Sequence, residues 1–130
     1  SLDGVAEVAN KIFFDQVISP VFIDNVVIVV EKCIKEKPQG IFHCVGSTSL
    51  SPYELASKVA HVFDLDKTLI KKTSVINFME QNPDARPRQI NMSLSNKKLE
   101  KELGIKMLTT DRALNKIRKQ LEQKEQLSKS

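Results

Sequence analysis

The chain has few glycines, four among 130 residues, at positions 4, 40, 46 and 104. They lie too far apart to form the glycine-rich loop that holds the phosphates of a dinucleotide or a nucleoside triphosphate. No serine lies in the strand–turn–helix motif that exposes the nucleophile of many hydrolases. The sequence therefore contains no recognisable catalytic machinery.

Cysteine is also scarce, and no combination of residues suggests a metal site. Cys33 and Cys44 are too few and too irregularly spaced for a disulfide framework or a zinc site. Their apolar neighbours predict small buried thiols. Asp64 and Asp66 lack the other oxygen ligands of a calcium loop. We therefore expect no bound metal.

Long apolar runs and aromatic residues are rare as well. The longest apolar stretch, VFIDNVVIVV, is interrupted by Asp24 and Asn25 and is shorter than the roughly 20 residues that cross a bilayer. We therefore expect a cytoplasmic protein with no membrane partner. The net charge of +4 mildly favours anionic partners, but aromatic residues make up only 5% of the chain. Nucleic-acid binding and an autonomous basic module are thus disfavoured, since bases stack on rings beside cations.

The apolar patterning predicts an α/β fold in one domain. Strands or extended segments are predicted at residues 11–14, 41–45 and 69–76, and helices at residues 26–37, 52–63, 96–103 and 110–121. Alternating strands and helices favour parallel strand pairs. The strand at residues 11–14 is expected to be buried. Residues 122–130 carry too little apolar surface to pack and are predicted to fray, which leaves residues 1–121 as the folded lobe.

Capping residues mark the predicted helix ends. Ser51, Pro52 and Glu54 form a capping box with proline at the first helical position. The other predicted end residues are Asp24 or Asn25 and then Ser95 at helix starts, and Gly104 at a helix end.

Apolar residues three and four positions apart predict the buried face of each helix. The predicted core positions are Val27, Val30, Cys33 and Ile34 in the first helix; Leu55, Ala56, Val59, Ala60, Val62 and Phe63 in the second; Leu99 and Leu103 in the third; and Ala113, Leu114, Ile117 and Leu121 in the last.

Three loops qualify as ligand-binding positions, because parallel sheets bind ligands beyond the carboxyl ends of their strands. These are Asp15–Pro20, Gly46–Ser51 and NPDARPRQI, residues 82–90, which we call the arginine loop. Pro83 and Pro87 exclude this loop from a helix interior or a central strand. Its arginines, Arg86 and Arg88, either face a flat anion such as a carboxylate or phosphate, or belong to a solvated turn.

Several segments together resemble a known family. GIFHCVGSTSLSPYELASKVAHVF (residues 40–63) is similar to the strand, glycine loop and capped helix of extended short-chain dehydrogenase/reductases that act on nucleotide sugars, and most of all of dTDP-4-dehydrorhamnose reductases. The turn with Asp15, Gln16, Ser19 and Pro20, the segment ARPRQINMSLSNKKLEKELGI (residues 85–105) and TTDRAL (residues 109–114) resemble the same family. The resemblance covers nearly the whole chain.

The resemblance implies that the chain is the C-terminal part of an NAD(P)-dependent oxidoreductase with a Rossmann-like fold. The cofactor would be bound mainly by an absent N-terminal domain carrying the glycine loop and a Tyr-x-x-x-Lys pair; here Tyr53 is followed by Ser57 instead. We therefore expect no cofactor on this chain and no activity of the chain alone. Residues 1–11 would be the end of a helix.

In the resembled family this part covers a sugar nucleotide, and arginine pairs with its diphosphate. Arg86, which matches the Arg-Pro segment, is the first candidate for binding a dTDP-sugar or similar nucleotide sugar, and Arg88 is the second. Asp15, Gln16 and Pro20 are expected to hold the turn beside the site rather than to contact substrate.

Two alternatives remain open on the sequence. The chain could come from a non-catalytic relative similar to the regulatory subunit of methionine adenosyltransferase, or from another nucleotide-sugar epimerase or dehydratase. A part separated from its partner domain is also expected to expose an apolar face, which self-association into a homo-oligomer could cover.

Overall fold

The computed structural model describes residues 11–129, and its contacts divide the chain into two compact units. Unit 1 comprises the residues up to Ile18 together with Leu50–Met92, and unit 2 comprises Ser19–Ser49 together with Ser93–Ser130. Each unit therefore combines segments that are distant in sequence. The predicted helix end near the start of the chain falls on residues 1–10, outside the described range.

Short strands and helices alternate along the described chain. The elements are β1 (Lys11–Phe13), α1 (Ile23–Glu36), α2 (Pro52–Val62), a single turn of 3-10 helix (Lys67–Leu69), β2 (Lys71–Thr73), α3 (Val75–Gln81), α4 (Lys97–Leu103) and α5 (Thr110–Lys129). In unit 1, β1 and β2 pair in parallel, with Lys11 opposite Lys71. The predicted α/β class with parallel pairing is confirmed.

The first strand is less buried than its sequence predicts. Ile12 and Phe13 are half-buried, and Phe14, which follows β1, is 48% exposed. The predicted extended segment at residues 69–76 shrinks to β2, because Ser74 starts helix α3 by accepting a hydrogen bond from the Asn77 amide at 3.2 Å. Sequence reasoning missed this helix.

Helix α2 starts as its capping box predicts. The Ser51 hydroxyl accepts a hydrogen bond from the Glu54 amide at 3.1 Å, and Pro52 occupies the first turn. The burial of its apolar stripe was overestimated, since only Ala60 is fully buried. Half-buried Leu55, Ala56 and Val59 instead line an open apolar groove of about 550 Å³ on unit 1.

Helix α1, in unit 2, differs most from its prediction. It begins at Ile23 after Phe22, and neither Asp24 nor Asn25 caps it. Asn25 is buried inside the helix, where its side-chain oxygen accepts a hydrogen bond from the Leu108 amide at 3.3 Å. The position that enters the core is Val29, at 5% exposure.

The predicted inner face of α1 points largely outward. Ile23, Val27, Val30 and Ile34 are 68%, 61%, 50% and 69% exposed and form an apolar stripe along the helix. Assigning Val27, Val30 and Ile34 to the core was therefore wrong. The exposed apolar face expected on a helix edge is present.

The core of unit 2 gathers apolar side chains from α1, α4 and the segment after α4. It consists of Val29, Leu99, Leu103, Ile105 and Met107, with half-buried Cys33, Phe42 and Cys44 packed against it. The inward packing of Leu99 and Leu103 is confirmed. Both thiols are half-buried rather than buried, and burial, followed by the nearby Cys33, raises the pKa of Cys44.

The sequence predicts the C-terminal end of α4 correctly and its N-cap residue incorrectly. Gly104 ends the helix with φ +66°, as predicted, because glycine adopts this left-handed conformation without strain. The N-cap is Asn96 rather than Ser95, whose hydroxyl accepts a hydrogen bond from the Lys97 amide at 3.3 Å.

Residues 41–45 alternate like a strand without forming one. Phe42 and Cys44 pack on the core of unit 2, whereas Ile41 and His43 are exposed. The backbone carbonyls at both ends accept hydrogen bonds from side chains near α4 rather than from a strand, namely from Lys98 to Ile41 at 3.1 Å and from Asn96 to Val45 at 3.2 Å. The predicted strand was wrong, because its pairing depends on a neighbouring strand that residues 11–129 do not supply.

Helix α5 continues as far as Lys129, whereas the sequence predicts a frayed tail from residue 122. Leucine, glutamate, glutamine and lysine favour helix, and an ion pair of 3.1 Å joins Arg118 to Glu122 one turn later. Of the helices formed by residues 11–129, none has both the length and the apolar character to cross a membrane.

Candidate functional site

The arginine loop is an exposed connection within unit 1. Every residue from 82 to 90 is exposed, and none belongs to a helix or strand, as the prolines predict. The loop follows helix α3 rather than a strand, so its predicted place directly after a strand end was wrong. A backbone hydrogen bond of 3.0 Å from the Ala85 amide to the Asn82 carbonyl turns the chain before the arginines.

The turn after β1 holds the far end of the arginine loop. Gln16 is buried, and its side-chain amide donates to the Gln89 carbonyl at 2.8 Å. The Val17 amide donates to the Ile90 carbonyl at 2.8 Å, and the Met92 amide donates to the Val17 carbonyl at 2.8 Å. Three hydrogen bonds thus fix the backbone immediately after Arg88.

Asp15 holds the start of α3, the helix that leads into the loop. Its carboxylate accepts hydrogen bonds from the Ser74 hydroxyl at 2.6 Å, the Val75 amide at 2.7 Å and the Ile76 amide at 3.4 Å. Partial burial raises the pKa of Asp15, but these hydrogen bonds to the charged form outweigh it and keep the pKa below its ordinary value of 3.8. Asp15 therefore acts as a capping residue supplied from the turn after β1, which is distant in sequence.

We expect Asp15→Asn to lower the free energy of unfolding of unit 1 at pH 7 by about 1 kcal/mol, because asparagine keeps one acceptor oxygen but loses the other and the charge that strengthens these hydrogen bonds. The pKa of Asp15 is lower in the folded than in the unfolded chain, so its stabilisation is present above the ordinary value of 3.8 and is lost as the pH falls through the folded value. The difference between the two proteins should therefore shrink below about pH 4. Urea denaturation at pH 7 and pH 3 measures it.

Asp64→Asn is the matched control for this prediction. The Asp64 side chain forms no hydrogen bond or ion pair within residues 11–129, and asparagine tolerates its positive φ of 52°. This variant should match the parent protein at both pH values. An Asp15→Asn difference that persisted unchanged at pH 3 would contradict the role of the carboxylate charge.

The two arginines have different surroundings. The Arg88 guanidinium carbon lies 5.5 Å from the ring centroid of Phe13 and 5.1 Å from that of Phe78. Arg86 lines a small recess of about 220 Å³ together with Phe78, Ala85, Pro87 and Arg88. Neither guanidinium forms a hydrogen bond or ion pair with any described residue. The N–H donors of both arginines are therefore available to an anion.

The other residues predicted beside the site are distributed between the units. Asp15 and Gln16 lie in unit 1 with the arginine loop, whereas Pro20 lies in unit 2. The Pro20 carbonyl accepts a hydrogen bond from the Gly46 amide at 3.0 Å. The predicted loop Gly46–Ser51 also spans both units, since unit 1 resumes at Leu50.

Residues 11–129 offer no evident site for a metal ion or a nicotinamide cofactor. Residues 11–129 contain no group of three histidine, cysteine, aspartate or glutamate side chains able to hold a metal ion. A dinucleotide needs a glycine-rich turn between a strand and a helix. Here Phe14 follows β1 and Ser74 follows β2, and neither turn contains glycine. These residues do not fit the pyrophosphate of a nicotinamide cofactor.

Comparison with models of protein families shows to which family the chain belongs. The model of the RmlD substrate binding domain matches residues 6–123. The chain belongs to this family. The resemblance seen in the sequence is thereby confirmed.

A curated protein is also similar to the chain. The chain is 28% identical over 100 residues to the probable low-salt glycan biosynthesis reductase Agl14 of Haloferax volcanii, covering 77% of this chain and 32% of that protein. It therefore spans about a third of the length of that curated relative.

Two solved structures share the fold. A dTDP-4-dehydrorhamnose reductase from Clostridium acetobutylicum superimposes with a TM-score of 0.71 at 23% identity, over 93% of this chain and 42% of that one. The dTDP-4-dehydrorhamnose reductase of Bacillus anthracis, solved in complex with NADP, gives a TM-score of 0.66 at 19% identity, over 88% and 39%. All three relatives are named as reductases.

Proposed function

We propose that this chain is the substrate-binding portion of a cytoplasmic NAD(P)-dependent nucleotide-sugar reductase, and that the arginine loop binds the diphosphate of a dTDP-sugar or similar nucleotide sugar. The observation that carries the proposal is the pair of arginines with unoccupied N–H donors on a loop of an RmlD substrate binding domain.

The chemistry of the loop suits a diphosphate. A guanidinium group presents planar pairs of N–H donors that match phosphate oxygens in a bidentate arrangement. Pro83 and Pro87 stiffen the backbone around Arg86, and Gln16 and Val17 fix it after Arg88. A loop that is ordered beforehand loses less conformational freedom when the ligand binds.

The nicotinamide cofactor supplies hydride in this family, and we assign its binding to a part of the protein other than residues 11–129. The glycine-free turns after β1 and β2 are the reason for this assignment. The role of this chain is then to hold the nucleotide and orient the sugar. We expect the chain alone to show no reductase activity.

We expect Arg86→Ala and Arg88→Ala each to weaken binding of dTDP by about 10- to 100-fold, the usual loss when a charge-assisted hydrogen bond is removed. Binding is measured by titrating dTDP into the isotope-labelled chain and following the amide resonances of residues 85–90. Because the interaction is ionic, affinity should also fall as the salt concentration rises.

Arg112→Ala is the matched control, since Arg112 is an exposed arginine on α5, outside unit 1. It removes the same charge without touching the loop and should leave dTDP binding unchanged. The absence of any shift at Arg86 or Arg88 with millimolar dTDP would contradict the proposal. An equal loss with Arg112→Ala would show that only the overall charge matters.

A further inference from the structure

Two phenylalanines from distant parts of unit 1 meet beneath the arginine loop. Phe13 lies in β1 and Phe78 in α3, and their ring centroids are 5.9 Å apart at an interplanar angle of 65°. This edge-to-face arrangement is a favourable geometry for an aromatic pair. The Arg88 guanidinium lies over both rings, at 5.5 Å and 5.1 Å.

We propose that Phe13 and Phe78 are positioning residues for ligand binding, which hold the Arg88 guanidinium so that its donors face an incoming diphosphate. This role rests on the proposed function of the loop. The guanidinium carbon lies over both rings, where the positive charge is attracted to the π-electrons. This attraction acts on the charge of the whole group, so the N–H groups of Arg88 remain able to donate hydrogen bonds to an anion.

The backbone contacts show why the rings are needed. Gln16 and Val17 fix the chain at Gln89 and Ile90, so the Cα position of Arg88 is restrained by its neighbours. The long arginine side chain would still sample many rotamers from that fixed point. Phe13 and Phe78 restrict this remaining freedom, which reduces the ordering cost of binding.

The recess beside the rings supplies the space for an anion. Phe78 lines it together with Arg86 and Arg88, and its volume is about 220 Å³. That volume is several times the roughly 30 Å³ that a water molecule occupies in the liquid.

The test compares Phe78→Leu with Phe78→Tyr in the full 130-residue chain. Leucine keeps the apolar bulk but removes the π-face, whereas tyrosine keeps the face. We expect Phe78→Leu to weaken dTDP binding by about 3- to 10-fold, the range given by an exposed to partly desolvated cation–π contact. Phe78→Tyr should bind dTDP like the parent chain.

A second measurement reports the orientation of Arg88 without any ligand. Protons above an aromatic ring have displaced NMR resonances, so the Arg88 side-chain N–H resonance should be displaced in the parent chain and in Phe78→Tyr. In Phe78→Leu it should move towards that of Arg112, which is exposed. Phe13→Leu should produce the same two changes, and it serves as the test if Phe78→Leu fails to fold.

The outcomes separate this inference from the function on which it rests. If the parent chain binds dTDP and Arg88→Ala weakens binding, but Phe78→Leu and Phe13→Leu bind normally, the positioning role is overturned and the proposed function stands. If the parent chain binds no dTDP at all, both are overturned. An undisplaced Arg88 resonance in the parent chain also overturns the positioning role.

Discussion

Leu99→Ala is expected to lower the free energy of unfolding of unit 2 by about 4 kcal/mol. Truncating a fully buried leucine loses the transfer free energy of the removed methyl groups and leaves a cavity in the core. Leu99 is 0% exposed and lies in the cluster with Val29, Leu103, Ile105 and Met107. The methyl groups that the substitution removes are therefore completely shielded from solvent in the parent protein. The shift in the urea midpoint, followed by circular dichroism at 222 nm, measures the effect.

Leu121→Ala is the matched control for this substitution. Leu121 is a leucine of the same unit, but 47% of it is exposed, so its prediction as a core position was wrong. Its truncation should cost less than about 1 kcal/mol, as is usual for a surface position. Similar losses for the two variants would show that the core of unit 2 is not packed around Leu99.

Gly46→Ala is expected to destabilise unit 2 by about 3 kcal/mol or more, at the upper end of the range for overpacking. A Cβ atom on Gly46 would lie 3.4 Å from the Leu108 carbonyl oxygen and far closer, at 2.2 Å, to the Pro20 carbonyl oxygen. Both oxygens are backbone atoms and cannot rotate away as a side chain would.

Relieving this clash would also break hydrogen bonds. The Gly46 amide donates to the same Pro20 carbonyl at 3.0 Å, and the Ser47 amide donates to the Leu108 carbonyl at 3.1 Å. The alanine would push apart three chain segments that these bonds join. Hydrogen exchange at the Gly46 and Ser47 amides, compared with urea denaturation, reports the loss.

Gly104→Ala provides the comparison within the same unit. A Cβ atom on Gly104 meets nothing within 4 Å, so the cost comes only from its φ of +66°. That conformation costs an alanine roughly 1 kcal/mol. If Gly46→Ala were no more destabilising than Gly104→Ala, the close approach at Gly46 would be wrong.

Features that depend on neighbouring residues were predictable from the sequence. The capping box at Ser51 and Glu54 closes over three residues, and glycine at position 104 ends α4 through its own φ. The same holds for Leu99 and Leu103, whose spacing places them on one side of a short helix. No distant segment has to be known for any of these.

Features that depend on distant segments of the chain were not predictable from the sequence. The burial of Val29 rather than Val27 or Val30 is set by the elements that α1 packs against, because apolar residues surround this helix on most sides. Residues 41–45 show the strand pattern, but the bonds to their terminal carbonyls come from Lys98 and Asn96, which lie 57 and 51 residues away.

In the candidate site, too, local features were predictable from the sequence and long-range contacts were not. The proline-flanked arginines are evident from nine consecutive residues. The groups that hold the arginine loop in place are not evident from the sequence. Gln16 bonds to Gln89 across 73 residues, and Asp15 to Val75 across 60. Phe78 belongs to a helix that the sequence did not predict; Ser74, three residues before Asn77, was the capping signal that could have revealed it.

The arginine loop is held by hydrogen bonds on either side of its tip, and the tip itself makes only local contacts. The carboxylate of Asp15 secures the helix before it, and Gln16 and Val17 secure the residues after Arg88, while Asn82–Ala85 carry only a local turn. Insertions or deletions among residues 82–85 could therefore be accommodated without moving Arg88 from its rings. Relatives with a longer or shorter tip would in this way keep the cationic contact where it is.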